Sequence, residues 1–286
     1  MKTETLSREQ ILEFFPKRAA DCHKGDFGKN VIFASSDEYV GAVKLAAIGS
    51  ASMRMGVGYT CLAVTENVAA AISPEVFECT LSLQKDVDGR FAFDKTCVDG
   101  ALNKATAVAV GMGMKKSREV TKLVKYLLIK NTPVVVDADG INSIAKEGLG
   151  TKVAPVVLTP HVAEFSRISG ISIENIRRDM LNVATTFARE YGVVLHLKGA
   201  ESVTTDGERT IITKGGSPCL AKAGSGDFLS GCVSALLARG IEPLYATAAA
   251  SQVIATVSSD LAAKYNDNVI LARDFHEGIR EYFRKQ

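Results

Sequence analysis

The chain has 286 residues, with 34 Lys and Arg against 32 Asp and Glu, so the formal net charge is only +2. A hydrophobic share of 47% suits an ordinary globular core, and without a basic block nothing points to nucleic acid or an anionic membrane as the main partner. The six cysteines (Cys22, Cys61, Cys79, Cys97, Cys219 and Cys232) show no CxxC pair or zinc spacing, the start Met1-Lys2-Thr3-Glu4-Thr5-Leu6 has no apolar signal core, and no apolar run approaches a membrane span, so the expected compartment is the cytoplasm.

Ser7 opens a short predicted helix over 7–15, with Ile11, Leu12, Phe14 and Phe15 as its apolar positions and Pro16 as its stop. A glycine-punctuated loop, His23-Lys24-Gly25-Asp26-Phe27-Gly28-Lys29, then feeds a strand over 30–34. A helix of small residues is expected over 41–55, closed by Gly56 and Gly58, and a strand over 59–64 follows. Further strands are expected over 76–83 and 105–110, with a turn over 86–90 between them. Val120, Leu123, Val124, Leu127 and Leu128 mark a helix. The continuous apolar run Pro133-Val134-Val135-Val136 suits a strand covered on both faces, and 156–159 reads the same way. Ile176, Met180, Ala184, Phe187 and Tyr191 are spaced as one helix face. Strands over 193–197, 202–205 and 210–213 come next, then two or three helices to the end.

This alternation predicts one α/β domain over 1–286, with a mostly parallel sheet covered by helices. No linker, low-complexity segment or internal repeat interrupts it. Ligands of such sheets bind beyond the carboxyl ends of the strands. Gly111-Met112-Gly113, Asp137-Ala138-Asp139, Thr159-Pro160-His161 and Lys198-Gly199-Ala200 each follow a strand there.

The segment Ala223-Gly224-Ser225-Gly226-Asp227 lies between the 210–213 strand and an apolar helical run through Phe228, Leu229, Cys232, Val233, Leu236 and Leu237. Its glycines let the backbone approach a ligand, and the free N–H groups of a first helical turn favour an anion. A carboxylate in that turn would repel a merely stored phosphate. Asp227 fits instead as the base for a hydroxyl that attacks a phosphoryl group, or it only complements the helix dipole.

The order of several motifs carries a resemblance: His23-Lys24-Gly25-Asp26-Phe27-Gly28, Tyr39-Val40-Gly41-Ala42, Gly111-Met112-Gly113, Asp137-Ala138-Asp139 with Asn142, Leu158-Thr159-Pro160-His161 with Glu164, Leu197-Lys198-Gly199-Ala200 and Ala223-Gly224-Ser225-Gly226-Asp227. From about Leu12 to Phe283 the chain resembles the ADP/ATP-dependent NAD(P)H-hydrate dehydratases of the ribokinase-like superfamily. That resemblance implies a three-layer αβα sandwich without the epimerase domain fused to some members. It implies a repair reaction in which ADP or ATP phosphorylates the hydroxyl of hydrated NADH or NADPH, and phosphate then leaves. Asp227 would be the base, with Gly224, Ser225 and Gly226 as an anion hole. Ala42, Gly113, His161 and Asp227 would contact the hydrated nicotinamide. Lys198, Gly199, Ala200, Glu201, Ser202 and Gly226 would line the adenine nucleotide. Glu164 would order Mg²⁺ through water, and a homotetramer is expected.

Duller readings stand beside these. His161 could cap the next helix, Lys198 could be a solvated strand end, and Asp137 and Asp139 could form a turn or place magnesium or the Asn142 loop. His196 alternates with Leu195 and Leu197, and neither it nor His276 receives a function; Asp26 is expected to shape its loop or a subunit contact. Two segments depart from the family pattern: Gly111-Met112-Gly113-Met114 replaces a Gly-Pro-Gly-Leu-Gly kind of turn, and Lys222-Ala223 replaces a Thr-Gly pair. Gly140-Ile141 for Ala-Leu is mild. Lys222 could help the phosphate or crowd it. The rival readings are a ribokinase-like vitamin-precursor kinase and a non-catalytic adenine-nucleotide-binding protein. An NAD-dependent dehydrogenase lacks the early GxGxxG it would need.

Overall fold

The computed structural model describes residues 3–49 and 54–284. Strands are β1 (Thr3–Glu4), β2 (Lys29–Phe33), β3 (Tyr59–Val64), β4 (Thr80–Leu83), β5 (Asp86–Val87), β6 (Arg90–Phe91), β7 (Ala107–Val110), β8 (Val134–Val136), β9 (Val156–Leu158), β10 (Val194–Leu197), β11 (Ser202–Thr205) and β12 (Thr210–Thr213). All but the β5–β6 hairpin join one 10-stranded sheet in the order β1-β12-β11-β10-β9-β8-β7-β2-β3-β4. Pairing is parallel except for β10–β11 and β11–β12. The short link Lys198–Glu201 between β10 and β11 forces that reversal, because a parallel return needs a crossover of a dozen or more residues.

The expected αβα sandwich is what forms. Within β2, Val31 and Phe33 enter one buried cluster while Ile32 enters the other, the period-2 result of a strand covered on both faces. The helices Arg118–Leu128, Val162–Ser169 and Met180–Tyr191 build one cluster. Val40–Gly49, Ser225–Ala238, Pro243–Ala262 and Phe275–Arg284 build the other. The Arg118–Leu128 helix buries all five residues named from its periodicity.

Several expectations need correction. The 76–83 strand is confined to β4, since Pro74 and a 3₁₀ turn at Ser73–Glu75 precede it. The leading helix is Arg8–Glu13, with Ser7 and Gln10 forming a capping box, and its end precedes Pro16. The short β1 escaped sequence reading; its partner β12 is more than 200 residues away. Of the helix expected over 41–55, Val40–Gly49 is present, and positions 50–53 lie outside the described residues.

The topology defines two regions beyond the carboxyl ends of the strands. From β2 the chain first builds outward through β3 and β4, then returns to add β7, β8, β9 and β10 on the other side. The carboxyl ends of β2 and β7 therefore flank the crevice where strand order reverses, the usual binding place in such a sheet. A second hollow lies over the ends of β8 to β11.

Candidate active site

The Ser225–Ala238 helix starts directly at the turn, with Gly224 as its N-cap at φ 95°. A side chain there would be strained and would collide with Leu45 from the Val40–Gly49 helix. Ser225 donates its N–H back to the Lys222 carbonyl at 3.4 Å. Phe228 donates its N–H to the Gly224 carbonyl at 3.0 Å, the first bond of the helix, which leaves the N–H groups of Gly226 and Asp227 without an intrahelical acceptor. The Ser225 hydroxyl is buried and has no hydrogen-bond partner.

This turn forms one wall of a cavity of about 810 Å³. Asp137, His161, Glu164, Lys198 and Asp227 also line it. Gly199, Ala200, Ser202, Gly224, Ser225 and Gly226 are at its surface as the sequence suggested; Glu201 is not, and its carboxylate lies 3.8 Å from Lys214 instead. The size is within the range of small-molecule sites.

A charged network crosses the floor. Lys198 Nζ donates to Asp137 Oδ1 at 3.0 Å, and Ser230 Oγ donates to Asp137 Oδ2 at 2.7 Å. Asp137 is 1% exposed, so these contacts offset the cost of burying its charge. Lys198 is thus not a solvated strand end. Burial pulls its ammonium down, but the negative charges of Asp137 and Glu164 outweigh that and raise it overall. A methyl group on Gly226 would stand 3.2 Å from Lys198 Nζ, which places this ammonium against the anion turn. Burial, reinforced by the Asp137 charge, pushes the Asp227 carboxyl up to about 7. A carboxylate so placed changes protonation near neutrality, as a general base requires.

His161 does what its duller reading held. Its Nδ1 accepts from the N–H groups of Ala163 and Glu164, and Glu164 Oε2 accepts from the His161 N–H at 2.9 Å. This capping box starts the Val162–Ser169 helix, yet half of the His161 side chain remains exposed at the cavity. Burial, with Lys198 and Arg167 nearby, lowers its pKa and so favours the neutral ring. Burial also raises the Glu164 carboxyl, helped by Asp137. Asp139 accepts the Lys115 N–H at 2.8 Å and approaches Asn142, which receives a hydrogen bond from Arg167. Asp139 and Asn142 belong to one helix, Asp139–Ile144, so no separate Asn142 loop is there to be placed, and Asp139 ties the first turn of that helix to Lys115.

Ala42 and Gly113 do not line the cavity. They meet each other in the β2/β7 crevice, where a methyl group on Gly113 would stand 2.7 Å from Ala42 Cβ. Gly113 has φ 65°, so both geometry and space select glycine. Asp26 closes its own loop by accepting the His23 N–H, and it faces His23 Nδ1 at 3.0 Å. His196, unassigned from sequence, is buried on the cavity side with Nδ1 2.8 Å from Thr204 Oγ1. Burial, followed by the Lys198 charge, drives its pKa down to about 3. Ser230, which anchors Asp137, was also missed; it is one helical turn past Asp227, and that spacing was the available signal.

Among the described residues no group of three or more His, Cys, Asp or Glu side chains is arranged to hold a metal ion. Mg²⁺ that keeps its water shell and takes phosphate oxygens needs only one or two carboxylates, and Glu164 fits that use. Among the described residues no helix is long and apolar enough to cross a membrane.

The sequence pattern of the NAD(P)H-hydrate dehydratase family matches residues 30–280. The chain belongs to this family. A bifunctional NAD(P)H-hydrate repair enzyme of Moorella thermoacetica is 33% identical over 271 residues, covering 91% of this chain and 50% of that protein. The chain thus spans about half the length of the curated relatives of this bifunctional kind. An ADP-dependent (S)-NAD(P)H-hydrate dehydratase of Bacillus subtilis is 29% identical over 288 residues, covering 100% of this chain and 99% of that one. The crystal structure of an ADP/ATP-dependent NAD(P)H-hydrate dehydratase from Bacillus subtilis, co-crystallized with ATP/Mg²⁺, superposes with a TM-score of 0.86 at 25% identity, covering 100% and 99% of the chains. In this dehydratase-family chain the methionines of the departing Gly111-Met112-Gly113-Met114 turn are both buried, Met112 in one cluster and Met114 in the other.

Proposed function

We propose that the chain catalyses the nucleotide-dependent dehydration of hydrated NADH and NADPH. The observation that carries the reading is Asp227 at the first turn of the Ser225–Ala238 helix, beside open backbone N–H groups and against Lys198. Asp227 takes the proton of the hydrate hydroxyl as its oxygen attacks the terminal phosphoryl group of ADP or ATP. The new O–P bond forms as the bond to the leaving nucleotide breaks. The N–H groups of the turn and the Lys198 ammonium face the charge on the moving phosphoryl oxygens. Loss of phosphate from carbon, with a proton from the neighbouring carbon, restores the ring double bond. Phosphate leaves far more readily than hydroxide, which is why a dehydration would consume a nucleotide.

Lys198, Gly199, Ala200 and Ser202 would hold the nucleotide in the cavity, and Ala42, Gly113 and His161 the nicotinamide. Mg²⁺ would supply charge neutralisation of the phosphates, and Glu164 would order its water. A single domain, a homotetramer and a cytoplasmic site complete the proposal. The open β4 edge, with Leu83 and neighbouring Phe77 exposed, supports self-association. The test mixes protein, Mg²⁺ and hydrated NADH with ADP or ATP and follows the reduced-nicotinamide absorbance. Recovery that needs the nucleotide and is lost in Asp227→Asn, with nucleotide binding retained, is expected. Nucleotide binding without recovery would move the assignment to a small-molecule kinase or a non-catalytic binder.

A further inference from the structure

Lys222 is two residues before the N-cap of the Ser225–Ala238 helix, and its side chain reaches the loop over 266–271. Its Nζ donates to the Asn268 carbonyl and to the Ile270 carbonyl, each at 2.6 Å. Two carbonyls of one loop converge on a single ammonium, so its donors are directed at backbone oxygens. Hydrogen bonds from a charged donor are among the stronger ones. The same residue's backbone carbonyl receives the Ser225 N–H, which joins Lys222 to the turn from its other end.

The 266–271 loop is itself fixed. Ser217 Oγ donates to Asp267, Asn268 N–H donates to Asn266 Oδ1 at 2.9 Å, and Val269 N–H donates to the Asn266 carbonyl at 3.0 Å. Ile270 is buried, and Ala272 after it lies 3.4 Å from where a Gly224 side chain would begin. The turn is therefore supported beneath by Leu45 and Ala272 and braced at its side by Lys222.

We infer that Lys222 is a positioning residue: it cross-links the anion turn to the 266–271 loop and so fixes where the turn's N–H groups point, rather than binding the phosphate itself. The inference rests on the proposed phosphoryl transfer, because positioning matters only where a phosphoryl group is received. Replacing the lysine by methionine would leave both carbonyls without their donor while keeping most of the aliphatic stem. The loop and the turn could then shift independently, and displacement of reacting groups by about 1 Å can cost on the order of 10²-fold in rate.

The experiment compares wild type, Lys222→Met and Lys222→Arg in Mg·ADP titration, in dehydratase turnover and in thermal unfolding. Ammonium chloride and tetramethylammonium chloride are then added at equal ionic strength. Lys222→Met is expected to weaken ADP binding or lower kcat/KM by roughly tenfold to a hundredfold. Ammonium, small enough to sit between the carbonyls, should recover part of that loss, and tetramethylammonium should not. Lys222→Arg, which keeps a cation able to reach both oxygens, should stay within a few-fold of wild type. Unchanged binding and turnover in Lys222→Met would overturn the inference, as would a loss that neither ammonium nor arginine relieves. If the methionine variant does not fold, a large loss of ADP affinity in folded Lys222→Arg overturns it and near-native affinity supports it. Wild type that binds ADP but does not restore the nicotinamide fails the dehydratase reading alone, and the ADP titrations still decide the role of Lys222.

Discussion

Asp227 illustrates how a surface-type residue acquires chemistry from its neighbours. In water its carboxyl would be ionised at any physiological pH. Here burial and the Asp137 charge bring it to about 7, while Lys198 limits the rise. As a base it works only when deprotonated, so kcat/KM should be level above pH 7 and fall about tenfold per unit below it. A pH–rate profile that stays level down to pH 5 would contradict this. The stability effect has a definite sign. The folded-state pKa lies above the ordinary 3.8, so the folded form holds the proton more tightly. That stabilisation is complete below about pH 4 and is lost as pH rises through about 7. Asp227→Asn should therefore raise the melting temperature at pH 8 and show no gain at pH 4, as thermal scans at the two pH values would reveal.

Helix starts are where the elements and the site coincide. The Val162–Ser169 helix begins with the His161–Glu164 capping box, and both residues also face the cavity. One pair thus satisfies backbone donors and fixes two polar groups toward a ligand. His161→Ala should cost about 1 kcal/mol of folding stability through the lost cap. Urea unfolding measures it. Beyond that, the proposed nicotinamide contact predicts a raised KM for the hydrate with the nucleotide KM unchanged; a stability loss with both constants unaltered would leave His161 as a cap only. At the turn before Ser225–Ala238 the same economy appears without a side-chain cap, because Gly224 leaves the first N–H groups open.

At the scale of the whole molecule, two buried clusters flank one sheet that runs unbroken from β1 to β4. A sheet shared by both layers leaves no plane along which the chain could unfold in halves. A single transition is therefore expected in calorimetry, with calorimetric and van't Hoff enthalpies equal. Two resolved transitions would argue for separate domains. The cavity and the β2/β7 crevice lie beyond the same edge of this sheet. The residues proposed to hold the nucleotide and the nicotinamide, far apart in sequence, consequently depend on one rigid support.

Local pattern in the sequence determined most of the elements and the chemistry-bearing residues. Tyr59–Val64, Ser202–Thr205 and Thr210–Thr213 form over the expected ranges, because period and strand-favouring residues act locally. The strand-end motifs at Asp137, His161 and Lys198 likewise fall at the cavity, since a parallel sheet aligns its carboxyl ends, whereas Gly111-Met112-Gly113 lies apart from it beside Ala42. What required tertiary structure were contacts that no local rule reaches. Ser230 meets Asp137 across 93 positions, and Lys222 meets Ile270 across 48. The sequence left Lys222 either helping or crowding a phosphate, and the fold places it at the cavity with two backbone carbonyls as partners. The pKa of Asp227 has the same origin: the sequence supplied the carboxylate, but its burial and its distance from Asp137 and Lys198 exist only once β8, β10 and the Ser225–Ala238 helix are brought together.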